Sequence, residues 1–194
     1  MSMASNPSQR PAASEGEAIL EALPAAARAQ VASLQWLAET ASTQADALAA
    51  PVPAQGCALF LADRQHAGQG RRGRAWISPP GANVYLSLSR RFAQPLPALS
   101  GLSLAAGIAV VEALHRLGVT EAGLKWPNDV LAGGRKLGGL LVNLRPDAGG
   151  SAAIVGLGLN LRMPDEAGAA IDQPWCDLAS LGHGCGRVPV AAGT

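Results

Sequence analysis

The stretch Lys136-Leu-Gly-Gly-Leu-Leu-Val-Asn-Leu-Arg-Pro-Asp-Ala-Gly-Gly-Ser-Ala-Ala-Ile-Val-Gly-Leu-Gly-Leu159 decides the fold class. Lys136 to Leu144 and Ala152 to Leu159 are apolar runs of strand length, and Asp147-Ala-Gly-Gly-Ser151 between them has turn composition. A connection this short makes a hairpin, so the two strands pair antiparallel. Upstream, Leu124 to Trp126 reads as another strand. Asn83-Val-Tyr-Leu-Ser-Leu-Ser-Arg90 alternates apolar and polar residues, the mark of a half-buried strand. Cys57 to Ala62 and Leu34 to Leu37 are shorter strand candidates. Helices are fewer: an Ala-rich segment from Glu17 to Val31 with Pro24 as a fresh start, a short helix from Gln44 to Ala50, and Leu99 to Leu117 ended by Gly118. Ser42 and Thr43 stand where a helix N-cap is expected. The expectation is an α+β fold with a mostly antiparallel sheet flanked by helices, not a doubly wound sheet. Residues 1–16 are expected to be a disordered tail, and residues 17–194 one domain.

Composition excludes several classes. Charged residues make up 15% and hydrophobic residues 48%, much of the latter alanine, with no run of about twenty apolar residues to span a bilayer. The longest candidate, Leu99 to Val111, is interrupted by Ser and Gly. The N-terminal residues lack the basic start and apolar core of a secretory signal. Cys57, Cys176 and Cys185 suggest no disulfide framework, and His183-Gly184-Cys185 is too little for a zinc site. A cytoplasmic location without membrane contact is expected. The net charge of +1 excludes a general polyanion binder, but charge is unevenly spread. Between Asp63 and Glu112 there is no acidic residue, while Arg64, Arg71, Arg72, Arg74, Arg90 and Arg91 fall there, a local field suited to an anionic ligand. Lys125 and Lys136 are the only lysines among 15 basic residues. A lysine is a compact point charge where arginine is a fork, so these two suggest roles arginine does not fill.

Gly68-Gln69-Gly70-Arg71-Arg72-Gly73-Arg74-Ala75-Trp76 matches the glycine spacing of a dinucleotide-binding loop, but its context does not. That loop opens a helix and needs an acidic residue about twenty positions on. Here Ser78-Pro79-Pro80-Gly81 follows, and the next acidic residue is Glu112. Gly133-Gly134-Arg135-Lys136-Leu137 lacks the spacing and hydroxyl residue of a P-loop. An Arg-Gly segment for RNA would be low-complexity and outside a sheet, whereas this one lies between two strands. A mobile loop that orders over a ligand fits better.

Taken together, these segments resemble the biotin–protein ligases. Asp63-Arg-Gln65-His-Ala-Gly68-Gln-Gly70-Arg71-Arg-Gly73-Arg74-Ala-Trp76-x-Ser78-Pro79-x-Gly81 is similar to their biotin-binding loop. Lys125-Trp126-Pro127-Asn128-Asp129 with Lys136-Leu137-x-Gly139 resembles their second signature, and Val155-Gly156-Leu-Gly158-Leu-Asn160 their third. Ser42-Thr43-Gln44 matches the Ser-Thr-polar element that precedes them, in family order. The resemblance implies a catalytic domain like those of class II aminoacyl-tRNA synthetases. It implies that ATP, with magnesium, activates biotin to biotinyl-5′-AMP, which a lysine of a biotin carboxyl carrier domain then attacks, as in acetyl-CoA carboxylase.

By resemblance, Ser42, Thr43, Gln44 and Gln65 face the ureido ring, and Gly68, Gln69, Gly70 and Gly139 lie along biotin. Arg71 and Arg74 hold phosphate, Trp76 packs on adenine, and Lys136 bridges the biotin carboxylate and the α-phosphate. Asn128 and Asp129 are assigned to magnesium or to the incoming lysine, and Asn160 to the ribose or to a neighbouring strand. Arg71, Asn128, Asp129 and Lys136 form the implied catalytic set, with no metal site made of side chains alone. For Trp126 and Pro127 a packed indole and a rigid turn are expected.

Gln69 departs from the family pattern, which often has a cation there. No helix-turn-helix pattern precedes Leu34, so DNA binding is not expected, and no SH3-like barrel is read before Thr194. The resemblance allows a homodimer. Two alternatives remain open at this point: a lipoate–protein ligase, and a chain that binds biotin with little turnover.

Overall fold

The computed structural model describes residues 12–194. Its frame is a seven-stranded sheet in the order β1-β2-β3-β7-β6-β5-β4. The strands are β1 (Val31–Thr40), β2 (Cys57–Gln65), β3 (Asn83–Phe92), β4 (Ala122–Lys125), β5 (Asp129–Ala132), β6 (Arg135–Asp147) and β7 (Gly150–Asn160). Six of the strands form an antiparallel run, and β1 joins β2 in parallel at one edge. The β6–β7 hairpin pairs Gly138 with Leu159 through Asp147 with Gly150, as the opening stretch predicts.

Helices α1 (Ala12–Ala22), α2 (Ala25–Arg28), α4 (Leu102–Arg116), α5 (Asp165–Gly168) and α6 (Arg187–Gly193) are joined by α3 (Thr43–Ala49), the crossover between the two parallel strands. Strand alternation divides β2 between two cores. Leu59 and Leu61 face the larger one, with Val110 and Leu114 of α4 and Val190 of α6. Ala58 and Phe60 face the smaller one, with Ala47 of α3 and Ile154 of β7. Burying a side chain of leucine or phenylalanine size contributes about 2 kcal/mol, so both faces of the central strands need cover.

Four expectations need correction. Residues 1–11 of the expected tail lie outside the described residues, but Ala12–Gly16 are helical, and Glu15 is buried. Glu15 pairs with Arg187, which also pairs with Asp63 and stacks 5.2 Å from the Trp36 ring centroid. Burial would lower the Arg187 pKa, but the hydrogen bonds it donates to these two carboxylates outweigh that, so the guanidinium stays charged. The expected helix to Val31 stops at Arg28, because Val31 begins a ten-residue β1 that pairs along β2 from Val31↔Cys57 to Thr40↔Gln65. β5 was not anticipated: four residues between two turns carry too little periodicity to be read. The helical stretch Leu96–Arg116 is longer than the apolar run read from sequence and is long and apolar enough to cross a membrane. Here it lies along the sheet, with Val110, Ala113 and Leu114 buried.

Candidate active site

One cavity of about 420 Å³ opens over β3, β7 and β6, between the N-terminus of α3 and the segment Gln69–Trp76. Its floor is a hydrogen-bonded set. Thr43 donates its backbone N–H to Gln65 Oε1 at 2.9 Å, so a side chain from β2 caps α3. Ser42, at the N-cap position, makes no capping bond; it is buried, and it lines the cavity. The expected capping role therefore belongs to Gln65. Ser87 Oγ donates to Gln44 Oε1 at 3.0 Å and lies 2.9 Å from Thr43 Oγ1. Thr43 Oγ1 is also 3.2 Å from Gln65 Oε1, so two acceptors compete for its single proton.

Gln44 lies beneath this layer. Its Nε2 donates to Asn143 Oδ1 at 2.8 Å and reaches the carbonyls of Ile154 and Leu141 at 3.2 and 3.3 Å. Gly156 makes room for it: a Cβ there would stand 2.5 Å from Gln44 Oε1. Ser87 and Gly156 were not assigned from sequence. Ser87 was hidden among the alternating serines of β3, and Gly156 lies inside the third signature.

Gln69–Trp76 is a small hairpin and not an irregular loop. Gln69 bridges Ala75, Gly70 N–H donates to Arg74 O at 2.7 Å, and Arg72 turns the chain at φ 59. Arg71, Arg72 and Arg74 are exposed. Arg71 Nη1 reaches across the cavity to Asn128 Oδ1 at 3.0 Å, while Asn128 Nδ2 is fixed to Leu140 O at 3.0 Å. Gly68 does not line the cavity. A Cβ on it would meet Trp76 O at 2.9 Å and Ser78 Oγ at 3.0 Å, so it serves the closure of the hairpin and the Gln65–Ser78 contact. Tyr85 O–H donates to Pro79 O at 2.9 Å behind the hairpin. Burial pushes this phenol well above its usual range, so it remains a donor.

The third side is cationic. Lys136 Nζ pairs with Asp129 Oδ1 at 2.8 Å and lies 5.5 Å from the Trp76 ring centroid. Gly139 faces the lysine side chain, where a Cβ would come 3.3 Å from Lys136 Cε. Trp76 lies flat enough on Gly158 that a Cβ there would strike the indole, and its buried Nε1–H has no protein partner.

Asn160 is buried, with Nδ2 donating to Cys176 O at 3.1 Å, which ties it to the neighbouring segment, and it also lines the cavity. That segment, Met163 to Trp175, forms a wall absent from the sequence reading. It is laid beside β6 by Lys136 N–H to Pro174 O at 3.0 Å and Cys176 N–H to Lys136 O at 2.9 Å. It brings Ile171, Asp172 and Trp175 to the cavity. Only Trp175, a rare indole after a proline, could have signalled it. Trp126, expected to be packed, is instead 77% exposed, because the Lys125–Asn128 turn projects it away from the sheet. Burial raises the Cys57 and Cys176 thiol pKa values, so neither offers a ready thiolate.

A polar floor at one end, an apolar middle and cations at the other define a site for an elongated small molecule carrying one anionic group. The chain belongs to the biotin/lipoate A/B protein ligase family, whose model matches residues 46–160. It is 44% identical over 133 residues to the bifunctional ligase/repressor BirA of Escherichia coli K12, covering 68% of this chain and 41% of that protein. It is 37% identical over 155 residues to the biotin–[acetyl-CoA-carboxylase] ligase of Mycobacterium tuberculosis, covering 77% of this chain and 56% of that protein. The biotin protein ligase of Aquifex aeolicus, solved with biotin and ATP, superposes with a TM-score of 0.68 at 32% identity, covering 84% of this chain and 66% of that one. The chain thus spans between 41% and 56% of the length of these two curated relatives. The α+β fold, with its mostly antiparallel sheet, is that of the biotin protein ligases.

Proposed function

We propose that residues 12–194 form the catalytic core of a biotin–protein ligase, using ATP to activate biotin and passing the biotinyl group to a lysine of a carboxyl carrier domain. The observation that carries this reading is one cavity with a hydrogen-bonding floor of Ser42, Thr43, Gln65 and Ser87 at one end and Lys136, Arg71 and Arg74 at the other. A ureido ring offers two N–H donors and one carbonyl acceptor. The floor answers with hydroxyls that both give and accept, and with the uncommitted lone pairs of Ser42 and Thr43. A lipoyl dithiolane has no N–H or carbonyl to offer the remaining lone pairs of this floor, so the floor's polarity favours the ureido ring.

In the first step a carboxylate oxygen of biotin attacks the α-phosphorus of ATP. A new P–O bond forms, the bond to the β-phosphate oxygen breaks, and pyrophosphate leaves with the electron pair. Lys136 lies between the two anions, offsetting their repulsion and the charge that grows in the transition state. Its Asp129 partner keeps the side chain extended into the cavity. Arg71 and Arg74 bind phosphate, and the partnerless Trp76 indole N–H offers the nucleotide a donor. Asn128 and Asp129, which line the cavity beside Lys136, would offer oxygens to the magnesium that accompanies the triphosphate, and the metal would offset phosphate charge. In the second step the amine forms a C–N bond at the acyl carbon, AMP leaves with the electron pair, and a proton passes to solvent.

Incubation of the chain with radiolabelled biotin and ATP, followed by chromatography, tests this reading. Biotinyl-5′-AMP and pyrophosphate in equal amounts are expected, and lipoate in place of biotin gives at most a trace. Absence of any adenylate, or preference for lipoate, sinks it.

A further inference from the structure

The turn between β4 and β5 presents Trp126 to solvent at 77% exposure, the highest among the exposed large hydrophobic side chains of the described residues. The turn itself is held from two sides. Ser103 Oγ donates to Pro127 O at 3.1 Å from the first turn of α4, and Leu140 N–H donates to Asn128 O at 2.8 Å from β6. The indole therefore stands on a fixed base, and nothing within this fold uses its apolar faces. Exposed Lys125 precedes it, with no carboxylate paired to it among the described residues. Lys125 also lines a shallow depression of about 200 Å³ with Leu124, Leu131 and Gly133. Two and three residues after the indole, Asn128 and Asp129 line the main cavity. A projecting indole, a cation, a notch and the mouth of the site thus follow one another along a single turn.

A carrier domain cannot enter a cavity of about 420 Å³; it must dock at the mouth and insert one lysine. We propose that Trp126 is the anchor on which the acceptor protein docks, with Lys125 facing a carboxylate of that protein. This rests on the ligase reading. Tryptophan dominates binding energy at protein interfaces because it brings a large rigid surface at little conformational cost. Transfer to a small untethered amine needs no such surface, so Trp126 acts on the protein acceptor alone.

The test uses the full chain and compares Trp126→Ala, Trp126→Phe and Lys125→Glu with the unaltered protein. Three rates are measured: adenylate formation from biotin and ATP, transfer to Nα-acetyl-lysine methyl ester, and transfer to a purified biotin carboxyl carrier domain. Trp126→Ala is expected to raise KM for the carrier domain about tenfold or more, while the other two rates and kcat stay within about twofold. Trp126→Phe recovers most of the loss, and Lys125→Glu raises KM in a salt-dependent way. An unchanged carrier KM overturns the proposal, as does an equal loss with the small amine. Sedimentation that shows Trp126→Ala dissociating a dimer, with carrier KM unchanged, assigns the surface to a second copy and overturns it too. If the unaltered chain makes no adenylate, the ligase reading itself fails and takes this inference with it.

Discussion

At the floor of the cavity Thr43, Gln44 and Ser87 are buried and exchange hydrogen bonds with Gln65, Asn143 and the strands beneath, whereas at the hairpin above it three arginines stand exposed and a single side-chain bond, Arg71 to Asn128, spans the opening. The floor cannot lose a member without stranding a buried partner, so its residues contribute to folding and recognition together. The hairpin stabilises little and is free to serve the reaction. Substitutions in the two regions should therefore separate: floor changes move stability and biotin affinity together, and changes at the cationic rim move rates with stability unchanged.

The strongest way to break this separation is Lys136→Ala. Its ammonium sits at the cationic end of the cavity, paired with Asp129 and 5.5 Å from the Trp76 ring centroid. Adenylate formation should fall on the order of a hundredfold or more, while biotin binding measured by calorimetry changes far less. Parallel losses in both would make Lys136 a recognition residue and erase the distinction between the two ends.

Ser87→Ala probes the floor. It removes the donor to Gln44 Oε1 and a partner of Thr43. Stability should drop by about 1–3 kcal/mol, read by denaturant unfolding, and biotin affinity should fall with it. Turnover at saturating biotin should stay near normal. A variant with unchanged stability would mean the floor is not the cooperative unit its bonds describe.

How far these regions could be read beforehand follows the same division. Every residue assigned from the signatures reaches the cavity except Gly68, because glycines, arginines and a lysine at fixed spacing are chemically conspicuous. Ser87 escaped because a buried serine and a solvent-facing serine look alike in an alternating strand; only the approach of α3 distinguishes them. Asp172 and Trp175 escaped because the wall they form depends on a parallel bridge to Lys136, a contact with no local sequence pattern. Among the strands, the long hairpin β6–β7 was legible from its turn. The full length of β1 was not, since its ends are fixed by pairing with β2 and not by its own alternation.

Arg71→Gly tests the hairpin. The Arg71–Asn128 bond is exposed, so its loss should leave stability within about 0.5 kcal/mol. The adenylate is then less well retained, and labelling of bystander amines should rise several-fold as labelling of the carrier domain falls. Limited proteolysis gives a second view: cleavage between Gln69 and Trp76 should be suppressed by biotin plus ATP in the unaltered chain, and less so in the variant. Labelling that stays confined to the carrier would show that Arg71 does not retain the intermediate.

The smallest effect is expected away from both regions, at the turn of the β6–β7 hairpin. Arg91 on β3 pairs with Asp147 at the end of β6, and this hydrogen bond, with the Ala148 N–H, holds the Asp147 carboxyl below the usual carboxylate range. A lowered folded-state pKa means that the stabilisation is fully present above the unfolded-state value of about 3.9 and is lost as pH falls through the lower folded value. Asp147→Asn should therefore lower Tm slightly at pH 6 to 7, by an amount that high salt reduces because the pair is partly solvated. The two proteins should converge as acid protonates Asp147 in the unaltered chain. Adenylate formation should be the same in both at neutral pH, since the pair touches neither floor nor hairpin. A change in activity here would mean that the sheet couples this turn to the cavity, and the floor could no longer be treated as a local unit.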